Sequence, residues 1–277
     1  MTGTVITLAP TGAESSKAAV PALPVTLDEL VSTAKECEAL GASIIHVHIR
    51  DADARPTLDP GRLRATVAVL RESTDLIVQL SSGGAVTDSE ADRLAVLDAG
   101  PEMASCTMGT VNFGDGVFLN RWEFVVDLHT RMQERGIVPE YEIFDLGQLS
   151  TLQRLLDRYG LPFGGHVHVD LVMGVPGGMP GTAAALVACH ALIRDLPAGT
   201  TFSATGIGRT AIPVLLASLA TGGHLRVGME DTQTYAKGRP VESNMQLVAR
   251  AVAFAQLAQR PPLTTAETRD LLGVPPR

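Results

Sequence analysis

A (β/α)8 barrel of the TIM type is the fold class this sequence predicts, on three observations. Eight short β-like runs recur at roughly 25–35-residue intervals, most of them separated by segments of helical periodicity. The chain has 277 residues, a length that suits one such barrel. Polar residues collect at the C-terminal ends of the runs, where barrels of this kind carry their chemistry. A doubly wound open sheet is built from the same units and is the alternative.

In chain order, the first β-like run is Val5–Ala9. The period-3.6 segment Leu27–Leu40 leads from it into Ser43–Ile49. Gly61–Arg71 precedes Leu76–Leu80, and Ser89–Ala99 precedes Met103–Thr107. Glu140–Phe144 is the fifth run. Leu149–Tyr159 then precedes Val167–Val175, Gly181–Arg194 precedes Thr201–Thr205, and Ile212–Ala220 precedes His224–Gly228. Alternating strands and helices imply a parallel sheet with both faces covered. Residues 1–277 are expected to form one barrel domain.

The polar ends support that order. The first run leads into Pro10–Glu14, and the second ends in His46, His48, Arg50 and Asp51. The third ends in Ser81–Gly84 and the fourth in Ser105–Gly109. The fifth carries Glu140, Glu142 and Asp145. The seventh enters Gly206-Ile207-Gly208-Arg209, and the eighth passes through Arg226 to Glu230 and Asp231.

Composition narrows the function classes. The formal charge is −8 and no Lys/Arg block interrupts it, which argues against a nucleic-acid partner. Cys37, Cys106 and Cys189 are scattered and odd in number, so no disulfide framework is expected, and each reads as a small buried hydrophobe. The N-terminal residues lack the basic and apolar regions of a signal peptide. The longest apolar run, Ile212–Ala220, is far short of a membrane span. A cytoplasmic protein is the expectation.

His46-Val47-His48 carries the most chemical information. Residues two apart on a strand share a face, so one face is apolar and the other presents two imidazoles. Arg50 joins them if the strand continues. Such a face is costly in a core unless something satisfies it, and a bound metal ion does so. The third ligand must reach the same mouth. Glu230 is the choice, because the first, second and eighth strands adjoin in a closed barrel. Two histidines and a carboxylate with open positions suit a catalytic divalent ion, zinc above others. A pair of hydrogen-bonded core histidines is the competing reading.

A second His-x-His, His166-Val167-His168, is followed by Asp170 on the same face. It opens its strand instead of closing it, so it is expected toward the bottom of the barrel in a hydrogen-bonding or inter-subunit role. His129, His190 and His224 stand alone and read as structural. Gly206, Gly208 and Arg209 form a candidate phosphate or cofactor loop, with a tight unliganded turn as the alternative. Gly177–Gly181 is either a flexible rim or a plain loop.

In order along the chain, Ala9–Ala13, Gly41–Asp51, Pro101–Ser105, Pro139–Asp145, Gly206–Arg209, Gly222–Asp231 and Ser243-Asn244 closely resemble the β-keto acid cleavage enzymes. The family is typified by 3-keto-5-aminohexanoate cleavage enzyme. The resemblance implies a (β/α)8 barrel, a homotetramer and one zinc ion per chain. It implies conversion of a β-keto acid and acetyl-CoA to acetoacetate and a new acyl-CoA. Carried over by position, His46, His48 and Glu230 are the implied zinc ligands. Ser82 and Thr107 are implied contacts of the substrate carboxylate, and Glu14, Glu142, Arg226 and Asp231 complete the set. Asp231, oriented by Arg226, is the expected base, with Glu142 as the alternative. A base beside a cation is not expected to have a raised pKa unaided. If Glu14 and Glu142 both face the substrate's tail, a cationic tail follows; if they pair with arginines, a neutral one competes. A metal-dependent hydrolase and a barrel with a structural zinc are the rival functions.

Overall fold

The computed structural model describes residues 3–277. Eight parallel strands close into a barrel: β1 (Ile6–Leu8), β2 (Ile44–Val47), β3 (Ile77–Leu80), β4 (Met103–Thr107), β5 (Val138–Ile143), β6 (His168–Met173), β7 (Thr201–Gly206) and β8 (His224–Val227). They follow in chain order, with β8 paired to β1 through Ile6↔Leu225 and Leu8↔Val227. The eight expected runs are thus the eight barrel strands, and the open sheet is excluded.

Strand alternation sorts the side chains into two shells. One parity, including Ile45, Val47, Val78, Leu80, Cys106, Ile143, Val169 and Leu171, packs against the surrounding helices. The other parity fills the barrel in layers. Val5, Ile44, Ile77, Met103 and Val138 form an apolar floor, sealed by Leu272 and Val274 from the C-terminal segment. Above it lie buried polar residues, among them Thr7, His46, Gln79, Ser105, Glu140, His168 and Ser203. Burying so many polar groups is tolerable only where they bond one another or a ligand.

Helices cover the outside: α1 (Leu27–Leu40), α2 (Pro60–Ser73), α3 (Glu90–Ala95), α4 (Trp122–Arg135), α5 (Leu146–Tyr159), α6 (Ala183–Ile193), α7 (Ala211–Ala220), α8 (Asn244–Leu257) and α9 (Thr265–Leu272). Sequence periodicity assigned no helix to the stretches of α4, α8 and α9. No helix among the described residues is long and apolar enough to cross a membrane. All three cysteines are buried and free.

The second strand differs from expectation. It leaves the barrel after Val47, and Ile49–Arg50 instead pairs antiparallel with Pro56–Thr57. Arg50 is the cause of interest. Its Nη2 donates to the carbonyls of Gly12 (2.6 Å) and Ser15 (2.8 Å), so it braces the loop after β1. The Asp51 carboxylate accepts from the backbone of Asp53 and Arg55 and forms a turn. Neither side chain lines the central cavity.

Candidate active site

At the C-terminal mouth of the barrel lies a cavity of about 440 Å³. His46 and His48 reach it from the end of β2, and Glu230 from the loop after β8. Two contacts set the Glu230 loop. Asn244, at the start of α8, accepts from Met229 N at 2.9 Å and donates to Pro10 O at 3.1 Å, tying the loops after β8 and β1 together. Gly12, at φ +65, passes so close that a β-carbon there would stand 2.7 Å from Glu230 Cγ.

His46 is buried, and its Nδ1 lies 2.6 Å from Gln79 Oε1. The amide oxygen accepts, so Nδ1 carries the proton and Nε2 keeps its lone pair. That lone pair faces Glu230: the Nε2 atoms of His46 and His48 stand 3.7 and 3.6 Å from Glu230 Oε1. The three ligand atoms all lie within 4.8 Å of one another. Ligands held at about 2.1 Å by a tetrahedral ion stand roughly 3.4 Å apart, so the set fits a divalent cation. Glu230 Oε2 supports that fit, since it is buried without a hydrogen-bond partner. Burial pushes the pKa of His46 down to about 4, the state a metal ligand needs.

Arg226, fully buried at the end of β8, organises the floor. Its Nη2 donates to Glu230 Oε1 at 2.5 Å and to Asp231 Oδ1 at 3.1 Å, and Nε donates to Asp231 Oδ2 at 3.3 Å. Nη1 donates to Glu142 Oε1 at 3.3 Å and lies 3.7 Å from Asp170 Oδ2. One guanidinium thus faces four carboxyl groups, which cannot all be ionised without a further cation in the site.

The carboxyl groups respond differently. Burial works to raise Glu230, but Arg226 and the two histidines hold it far below the usual carboxylate range. Burial pushes Asp231 up to about 7 against the pull of Arg226, with Glu230 adding to the rise. The rise is not unaided: desolvation, with Glu230, outweighs the neighbouring cation. Burial also raises Glu142, which accepts a 2.7 Å hydrogen bond from Thr107 Oγ1.

The other expected residues are placed as follows. Glu14 lines the cavity from the loop after β1 and is exposed. Thr107 contacts Glu142 from the neighbouring strand and is not part of the lining. Ser82 is also outside it, because its hydroxyl donates to Ser105 O at 2.6 Å; Ser81 is the serine that faces the cavity. Gly208 lines the cavity, but its N–H donates to Asp231 O at 2.7 Å. Gly206 ends β7 and Arg209 is exposed, and neither lines the cavity. The loop therefore has a structural use for its amide at Gly208 that competes with phosphate binding.

His166 and His168 lie low in the barrel and share Thr201 Oγ1 at 2.7 Å each, in the hydrogen-bonding role expected of them. His168 Nε2 also lies 3.3 Å from Glu140 Oε2. Asp170, on the same strand face, reaches Arg226, so this run touches the site from beneath. Gln79 is the site residue that the motifs left out, and strand parity alone would have pointed it inward; Asp170 was singled out with the second His-x-His but given no part in the site.

The model of the family described as beta-keto acid cleavage enzyme matches residues 3–274. The chain belongs to that family. Relatives include the 3-keto-5-aminohexanoate cleavage enzyme of Acetoanaerobium sticklandii, 37% identical with 98% of each chain covered. The 3-oxoadipate:acetyl-CoA acetyltransferase of Cupriavidus necator is 32% identical over 98% of this chain and 95% of its own. Among solved structures, apo ObcA superposes with a TM-score of 0.79 at 20% identity, over 92% of this chain and 66% of that one, a likeness of fold.

Proposed function

We propose that the protein is a β-keto acid:acetyl-CoA C-acetyltransferase that yields acetoacetate and a new acyl-CoA, with His46, His48 and Glu230 as ligands of a catalytic zinc ion. The observation that carries the reading is the open His–His–Glu set facing the same cavity as Asp231 and Arg226. Three protein ligands leave coordination positions for substrate, whereas a structural zinc site would be closed by four. Relatives named for 3-keto-5-aminohexanoate, 3-oxoadipate and 3-dehydrocarnitine, two of them with acetyl-CoA in the name, support the reaction class.

The ion, when bound, supplies a Lewis acid that polarises the substrate's ketone and acidifies the adjacent methylene. Asp231 removes the methylene proton; its raised pKa matches the operating range of a general base. Arg226 fixes the orientation of Asp231 through two hydrogen bonds and remains cationic beside the developing enolate. The enolate carbon attacks the thioester carbonyl of acetyl-CoA and the CoA thiolate leaves. The thiolate then adds to the substrate's ketone. The bond between that carbon and the former methylene breaks, and the acetoacetate carbanion recovers its proton from Asp231. Glu142 stands on the other side of Arg226 and is the alternative base. The same barrel is proposed to act as a homotetramer.

The test is acetoacetate formation from a β-keto acid and acetyl-CoA, read with zinc content. Glu230→Gln is expected to lose zinc and activity while remaining folded. Asp231→Asn is expected to keep zinc and lose activity by at least a hundredfold. Near-normal turnover in Asp231→Asn moves the base to Glu142, and turnover without acetyl-CoA makes the protein a hydrolase.

A further inference from the structure

The cavity is two-sided. Most of its polar lining comes from the ends of β1, β2 and β8, joined lower down by Ser81 after β3 and Glu142 on β5. The opposite side, built after β3 to β6, is apolar: Val86, Phe113, Phe118, Phe144, Val172 and Val175. The three phenylalanines pack edge to face on one another, with ring centroids 6.2–6.4 Å apart. Phe144 and Val172 are buried and continue the inward parity of β5 and β6, one position above Glu142 and Asp170. They are therefore part of the inner wall.

This wall is built rigidly. Phe113 and Phe118 belong to a hairpin, Val111–Phe113 paired with Gly116–Phe118. Arg93 is buried beneath it, its guanidinium 4.7 Å from the Phe118 ring centre, and donates to Leu119 O at 2.6 Å and Asn120 Oδ1 at 2.5 Å. The hairpin docks on the loop after β6, where Gly177, at φ +101, leaves no room for a β-carbon against Asn112. Gly177–Gly181 is therefore a packed support, held by Met179 N to Phe144 O at 2.7 Å.

Charge argues for the same occupant. Of the carboxylates lining the cavity, Glu142, Glu230 and Asp231 are hydrogen-bonded to Arg226. Glu14, the remaining lining carboxylate, is exposed on the loop after β1, across the cavity from the wall, while the guanidinium of Arg50 donates to the carbonyls of Gly12 and Ser15. Arg226 is the lining guanidinium, and carboxyl groups surround it. The wall itself carries no charged side chain, so a charged tail seated against it, away from Glu14, would lose its hydration uncompensated.

Resting on the function proposed above, we infer that the substrate is a β-keto acid with an uncharged, apolar tail, seated on the phenylalanine–valine wall. A β-keto acid held by its carboxylate and ketone at the His–His–Glu side projects its tail across the cavity. The tail then leaves as the acyl group of the new CoA thioester. Each methylene buried on the wall is worth about a fourfold gain in kcat/KM.

The experiment compares 3-oxohexanoate and 3-oxooctanoate with 3-oxoadipate and 3-keto-5-aminohexanoate, each with acetyl-CoA and read as acetoacetate. The apolar acids are expected to exceed the charged ones in kcat/KM by at least about tenfold. Val172→Thr, which keeps the shape and replaces a methyl group with a hydroxyl, is expected to raise KM for 3-oxooctanoate about fivefold without moving KM for acetyl-CoA. Preference for either charged acid overturns the inference and leaves the proposed reaction standing. A Val172→Thr effect confined to KM for acetyl-CoA also overturns it, placing the pantetheine arm on the wall. Acetoacetate from none of the acids overturns the reaction itself.

Discussion

Gln79 shows how much a single buried amide decides. By accepting from His46 Nδ1 it selects the tautomer that aims Nε2 at Glu230, and among the described residues it is the hydrogen-bond partner of that ring. Outer partners of this kind typically contribute ten- to a hundredfold in metal affinity. Gln79→Leu is therefore expected to weaken zinc binding by about that factor, measured by titration of metal-free protein, with circular dichroism unchanged. Unaltered affinity would remove Gln79 from the account. The residue was not legible as part of a motif, because a lone glutamine in an apolar strand has many readings. His46, His48 and Glu230 were legible, since two imidazoles on one strand face require an explanation and ring closure brings the eighth strand beside the first. Ser82, implied by the resemblance, lies outside the cavity lining because the alternation that turns Gln79 and Ser81 inward turns it the other way.

Among the elements, the α3 region and the Val111–Phe118 hairpin act together. Arg93 donates to Ser82 O, Leu119 O and Asn120 Oδ1 and stacks between Phe118 and Phe124, linking the loop after β3 to the hairpin after β4. Truncating it leaves three acceptors unpaired, a loss on the order of 3 kcal/mol. Arg93→Met is expected to destabilise the protein by about that much in chemical denaturation. It is also expected to speed hydrogen exchange selectively at residues 111–120; uniform or absent change there would contradict the linkage. The eight strands were legible from the spacing of apolar runs, though their ends shifted by a few residues. Helix α4 was not, since its buried face, Phe124, Val125, Leu128 and Met132, also carries the buried His129, which reads as polar. The end of β2 was obscured because Arg50 continues the alternation in sequence while its side chain is bonded to the loop after β1.

The whole molecule stores its polar groups in the barrel interior and on the helix seams, and this sets its response to acid. Burial pushes His129 down to about 4 and lowers His224 still further, while an exposed histidine titrates near 6.5. Between about pH 4 and 6.5 the unfolded chain binds protons that the folded chain refuses, so these groups make stability rise with pH across that window and fall on acidification. His129 contacts Tyr141 OH at 2.9 Å, away from the proposed metal ligands, and isolates the effect. His129→Gln is expected to flatten the stability–pH slope by up to about 1.4 kcal/mol per pH unit in that window. An unchanged slope would show that another group carries the acid response. Barrel architecture and the position of the chemistry were legible at this scale from the strand–helix alternation. The layering of the interior and the apolar wall were not, because they depend on which strands face one another across the mouth.

Carbon tracing tests the central claim most directly. With uniformly 13C-acetyl-labelled acetyl-CoA and an unlabelled β-keto acid, the proposed route places both labelled carbons at C3 and C4 of acetoacetate and leaves the new acyl-CoA unlabelled, with the signal absent in Glu230→Gln. Label recovered as free acetate, or acetoacetate formed without label, would contradict it.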